Sequence, residues 1–124
     1  MNGIKVDNNV MTIDIMTILN LRTNNISDKT IINHISSFLQ SINVLIINIG
    51  KSLTISKIER NLSFIKKIAI MFYSFQDLNI ISCKLINTPS SFSSIFKFIK
   101  PLLTKNALDV IEFEAAPKSE CLFW

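Results

Sequence analysis

Glycine is almost missing from this chain, with two residues in 124, and proline occurs three times. A sequence so poor in both is neither collagen-like nor built mainly of loops. Two cysteines exclude a disulfide framework and a four-cysteine zinc site. The one histidine, His34, has no acid at ligand spacing, which excludes a His-based metal centre or catalytic triad. One tryptophan and one tyrosine do not make a platform for stacking bases, so no nucleic-acid partner is expected. The longest apolar runs, such as Val44–Ile47 and Ile68–Tyr73, fall far short of the roughly 18 residues of a membrane span. The N-terminal Met1–Lys5 lacks the basic start and apolar block of a signal peptide. A reducing, cytoplasmic setting is therefore expected.

What is present is apolar: 48% of residues against 18% charged, too hydrophobic for a disordered tail and enough for one small core. One domain over residues 1–115 and an irregular tail over 116–124 are expected. The bias toward Ile, Asn, Ser, Lys and Phe is that of an AT-rich genome, such as a large DNA virus, and points to a viral protein. The net charge of +4 hides a split: residues 1–50 are neutral, 51–105 carry +7 and the remainder −3. The basic middle suits an anionic membrane surface.

Apolar periodicity sets out the elements. Ile31, Ile35, Phe38 and Ile42 recur at helical spacing, with Ile32 and Leu39 beside them and Ser27 or Asp28 as N-cap. Met11–Arg22 is ambiguous, strand-like in its β-branched content and helix-like in its length. Ile42–Gly50 is a nearly continuous aliphatic run, the pattern of a parallel strand covered by helices on both faces. Ile55–Phe75 reads as one long helix. Its stripe Ile58, Leu62, Ile65, Ala69, Phe72 is joined late by Phe64, Ile68, Met71 and Phe75, so its second half needs cover on two sides. Asn79–Asn87 is a second strand, and Thr88-Pro89-Ser90 breaks the chain before a third helix carrying Phe92, Ile95, Phe96, Ile99, Leu102 and Leu103. Ser90 or Ser91 is its candidate N-cap, and Pro101 should kink or end it. Asp109–Ala115 alternates as an edge strand. The order helix–β–α–β–α–β implies an α/β fold with a small, mostly parallel sheet.

No catalytic constellation accompanies this pattern, so the chain is not expected to be an enzyme or to need a cofactor. Cys83 lies in an apolar strand with Lys84 on the opposite face, as a small buried hydrophobe would. Gly50-Lys51-Ser52 lacks the glycine that a phosphate-binding loop requires five residues earlier, where Leu45 stands. Glu112 and Glu114 share one face of an edge strand and suit charges that deter strand addition. Cys121-Leu122-Phe123-Trp124 has the length of a prenylation box, but Trp is not a usual terminal residue.

Residues 43–115 resemble the CRAL-TRIO lipid-transfer family, which includes cellular retinaldehyde-binding protein and alpha-tocopherol transfer protein. The resemblance rests on Val44–Gly50 (VLIINIG), Phe64–Phe72 (FIKKIAIMF), Ile81–Phe92 (ISCKLINTPSSF), Ile95–Thr104 (IFKFIKPLLT) and Ile111–Ala115 (IEFEA), in that order. Its most specific part is the turn Asn87-Thr88-Pro89, followed by Ile99-Lys100-Pro101-Leu102-Leu103. Asn48 stands where the family has Asp, and positions that some members use for phosphoinositide headgroups fall on Asn79, Asn106 and Val110. The family's preceding helical domain and the gate helix after the last strand have no counterpart here, which implies a truncated, partial CRAL-TRIO-like fold.

The resemblance implies non-enzymatic binding, and transfer, of a small hydrophobic lipid. Carried over, Ile47, Ile68, Met71, Phe72, Leu78 and Ile80 would line its pocket. Lys51, Lys57, Arg60, Lys66, Lys67, Lys97 and Lys100 would meet an anionic membrane. The alternative is a reduced scaffold without ligand, serving as a protein–protein interaction or homodimerisation module.

Overall fold

A computed structural model describes residues 1–71, 80–90, 92–102 and 111–114. Along the chain run strands β1 (Ile4–Asp7) and β2 (Val10–Asp14), helices α1 (Ile15–Thr23) and α2 (Asp28–Ser36), and strand β3 (Val44–Asn48). Helices α3 (Ile55–Arg60) and α4 (Leu62–Met71), strand β4 (Ser82–Ile86), helix α5 (Phe92–Ile99) and strand β5 (Ile111–Glu114) follow. The strands form one sheet in the order β1-β2-β3-β4-β5. Only β1 and β2 pair antiparallel; all other pairings are parallel. The chain is an α/β protein with a mostly parallel mixed sheet.

The N-terminal pairing corrects the expectation of three strands. Asp7 pairs with Val10 across Asn8-Asn9, and Asn8 takes a φ of +56°, which Asn tolerates better than other side-chain-bearing residues. Met11–Arg22 divides between a strand and a helix. The switch lies at Asp14, whose side chain accepts the Thr17 N–H at 3.2 Å and caps α1. The Asn9 carbonyl accepts the N–H groups of Asn43 and Val44, at 2.8 and 3.2 Å, and seats β3 beside the hairpin.

Burial follows register. Ile4, Met11, Ile13, Leu45, Cys83 and Leu85 share one face and are all buried; Ile111 packs against the same cluster. Helices fill that side with Ile18, Leu19, Ile31, Ile35, Ile58 and Phe64. Each such side chain stabilises the fold by about 1.5–3 kcal/mol. Among the described residues of the opposite face none is fully buried. Among the described residues no helix covers the second face of β3, where Val44 and Ile46 are half-buried, whereas the aliphatic run led to the expectation of cover on both sides. Sheet order is chain order, so every parallel crossover steps in the same direction. Right-handed crossovers then set their helices on the same face.

The helix expected over Ile55–Phe75 is broken at Asn61, and Phe72–Phe75 lie outside the described residues. Asn61 caps α3, its Nδ2 donates to the Lys57 carbonyl at 2.8 Å, and its Oδ1 accepts from Arg22 Nη1. Arg22 is the reason for the break. Its Nε donates to Asp28 Oδ1 at 2.6 Å, and its guanidinium lies 4.7 Å from the centre of the Phe64 ring. Lys67 Nζ reaches the other Asp28 oxygen at 3.3 Å. One cation thus ties α1, α2, α3 and α4 together. The second apolar row of α4 is covered by the chain itself, with Phe64 buried beneath Arg22 and α4 packed on α2.

Helix α2 begins at Ser27, whose hydroxyl accepts the Thr30 N–H. Gly50, at a φ of +90°, ends β3 with its α-carbon close to Met16; a Cβ there would stand 2.9 Å from Met16 Cγ. Pro101 ends α5, which tightens into a 3₁₀ turn over Lys100–Leu102. Ser91, Leu103 and the tail 116–124 lie outside the described residues.

Arg22, with Lys67, holds the Asp28 carboxyl below its ordinary 3.8, despite the opposing effect of burial. A carboxylate depressed in the folded state contributes stability above its unfolded value and loses it as pH falls through the folded one. Asp28→Asn is expected to lower stability at neutral pH by roughly 1 kcal/mol and to flatten the acid side of the curve below about pH 4. Urea unfolding of both proteins across that range checks this, and parallel acid limbs would contradict it.

Candidate functional site

The face of the sheet that the described helices leave open is the candidate site. Its central cross-strand row is Lys5, Thr12, Ile46, Lys84 and Glu112, one residue from each strand. Toward the start of the parallel strands lies a second row, Asp7, Val10, Val44 and Ser82; toward their end lies Asp14, Asn48, Ile86 and Glu114. Val10, Val44, Ile46 and Ile86 form a half-buried apolar patch over the inner strands. Charge stands at the two flanks, with Lys5 and Asp7 exposed on β1, and Lys84 half-buried beside exposed Glu112. Among the described residues, none of these four makes an ion pair within the chain. Lys5, Asp7, Asn8, Asn9, Val10 and Thr12 line a shallow concavity of about 340 Å³ over the hairpin.

The residues expected to line a lipid pocket are elsewhere. Ile80 belongs to the core, and Ile47, Ile68 and Met71 pack against it, so these four fill the space between sheet and helices. Phe72 and Leu78 lie outside the described residues. The basic set is on the helical side: Lys57 and Arg60 on α3, Lys66 and Lys67 on α4, Lys97 on α5, Lys100 just after it, and Lys51 in the turn after β3. All but half-buried Lys57 are exposed, and Lys67 is engaged with Asp28.

The turn that carries the CRAL-TRIO resemblance meets β3 directly. Asn87, at a φ of +53°, donates from Nδ2 to Asn48 Oδ1 at 3.1 Å, so two positions quoted for that resemblance lie in contact. Thr88 next to it is buried. His34 packs edge-on against Phe38, with ring centres 5.3 Å apart. Among the described residues no group of three or more His, Cys, Asp or Glu could hold a metal ion. No described helix is long and apolar enough to cross a membrane.

The open face was legible in one strand. In Ser82-Cys83-Lys84-Leu85 the polar residues alternate with apolar ones, the mark of a sheet wet on one side. The aliphatic run of β3 hid it, because Ile46 and Val44 are as apolar as the buried Leu45. No protein-family model matches the chain, and no curated protein matches it.

Cys83 is 2% exposed, and burial pushes its thiol up to about 12. A Cys121→Ala protein, which keeps Cys83 alone, is expected to show no reactive thiol to Ellman's reagent when native and one equivalent in denaturant. Rapid labelling of the native protein would overturn that assignment.

Proposed function

We propose that the chain is a non-enzymatic, cytoplasmic binding module for a small hydrophobic lipid, in keeping with its resemblance to CRAL-TRIO domains. The observation that supports this reading is the open sheet face. Val10, Val44, Ile46 and Ile86 offer apolar surface, with polar groups only around it. The space between sheet and helices is occupied by Ile47, Ile68, Met71 and Ile80, so the ligand lies on the outer side of the sheet. An acyl chain laid over Ile46 would gain roughly 0.8 kcal/mol for each methylene taken from water. The Lys84 ammonium and the Thr12 hydroxyl flank Ile46 in the same row and suit a polar headgroup at the rim. The cations of α3, α4 and α5, on the far side from that face, bring the protein to an anionic surface.

Native mass spectrometry, followed by organic extraction of the gently purified chain, is expected to find a co-purifying lipid. Ile46→Asp should lose it while keeping the circular dichroism of the parent. A spectrum free of co-purifying or exchangeable lipid would remove the proposal. Sedimentation with vesicles containing phosphatidylserine should pellet the protein at low salt and release it as salt rises. Lys66→Glu combined with Lys97→Glu should weaken that binding by at least about thirtyfold, at about 1 kcal/mol for each of the two lysine charges lost near the surface.

A further inference from the structure

We propose that, without ligand, the open face of the sheet is a homodimer interface in which two copies pack face to face about a two-fold axis parallel to the strands and lying over β3. The inference goes beyond the lipid reading: it rests on the charge pattern of the face and requires no ligand.

The pattern is antisymmetric across the sheet. In the central row, Lys5 on β1 and Glu112 on β5 stand at equal distances on either side of Ile46. A two-fold axis parallel to the strands exchanges left and right while keeping each row in place. Lys5 of one copy then faces Glu112 of the other, twice over, and Ile46 faces Ile46. Val44 faces Val44 in the neighbouring row, and Lys84 comes over Thr12, within side-chain reach of Asp7 two residues along β1 from Lys5. The shallow concavity lined by Lys5, Asp7 and Thr12 receives that lysine. The other in-plane axis, perpendicular to the strands, would set Lys5 against Lys5 and Glu112 against Glu112, so charge alone selects the first. Lys5, Asp7, Lys84 and Glu112 are available for it, having no ion pair among the described residues of their own chain. Aligned packing of two twisted sheets, with strand directions within about 30° of each other, is an ordinary way to bury such faces.

The interface is small. Five strands about 4.8 Å apart and about five residues long present roughly 300 Å² per copy, against about 800 Å² for a standard stable interface. The dimer therefore forms reversibly with concentration. A lipid on the same face and a second copy exclude each other, so the loaded protein is monomeric.

The test uses the full chain stripped of lipid, with mass measured by sedimentation equilibrium over rising concentration. The parent protein should move from monomer to dimer. Lys5→Glu and Glu112→Lys, both at exposed positions, should each weaken self-association by at least about tenfold. An equimolar mixture of the two variants should recover association, because each supplies the charge the other faces. A parent that stays monomeric at every concentration would overturn the interface. So would single variants that associate as the parent does, or a mixture no better than its components. The lipid reading fails separately, on the mass spectrum of co-purifying material.

Discussion

The handedness of the crossover connections decides the shape of this molecule. From β2 onward each strand is laid beside the one before it, always on the same side, and the right-handed rule sends the connecting helices to one face. A doubly wound sheet reverses direction at some point and so covers both faces; this one does not. The consequence is a lopsided distribution of hydrophobicity. Leu45 and Ile46 are neighbours of the same character, yet one is sealed in the core and the other is half-buried on the open side. Composition alone would not separate them, since the difference belongs to topology.

On the covered side the helices are held by a polar tie as well as by apolar packing. Arg22 sits where four helices meet, with a carboxylate, an amide and an aromatic ring all drawn to its guanidinium. Such a planar cation offers five donors in a fixed fork and a flat face for the ring, where an ammonium has three donors and no such face. The arrangement explains why α3 and α4 are two helices although their apolar stripe runs without a gap. Asn61 is given up as a helical residue so that it can cap α3 and meet Arg22. The gain is orientation: α4 is turned so that both Phe64 and Ala69 are buried while Ile70 is left 62% exposed.

These two features also mark how much could be read in advance. The α/β class, the β3, β4 and β5 strands, the Ser27 cap and the Pro101 stop all follow from local rules of periodicity, capping and proline geometry, and they stand in the structure. The β1–β2 hairpin escaped because Asn8-Asn9 is a weaker turn signal than Asn-Gly, and because β2 runs into α1 with no loop between them. The break at Asn61 escaped because its cause, Arg22, is 39 residues away. Of the site residues implied by the family resemblance, Ile80 is core and Ile47, Ile68 and Met71 pack against it, whereas the open face depends on pairing register across five strands. Alternation within β4 held the clue, but no single strand contains the left–right arrangement of Lys5 and Glu112.

The winding that makes the sheet one-sided also bears on its assembly during synthesis. Every strand pairs with its immediate predecessor, so no strand must await a partner from the far end of the polypeptide. As the chain leaves the ribosome, the hairpin can close first and serve as a template, with each later strand docking onto a finished edge. Apart from the outer edge of β1, only that growing edge is exposed at any moment, which limits the time available for mispairing with other nascent chains.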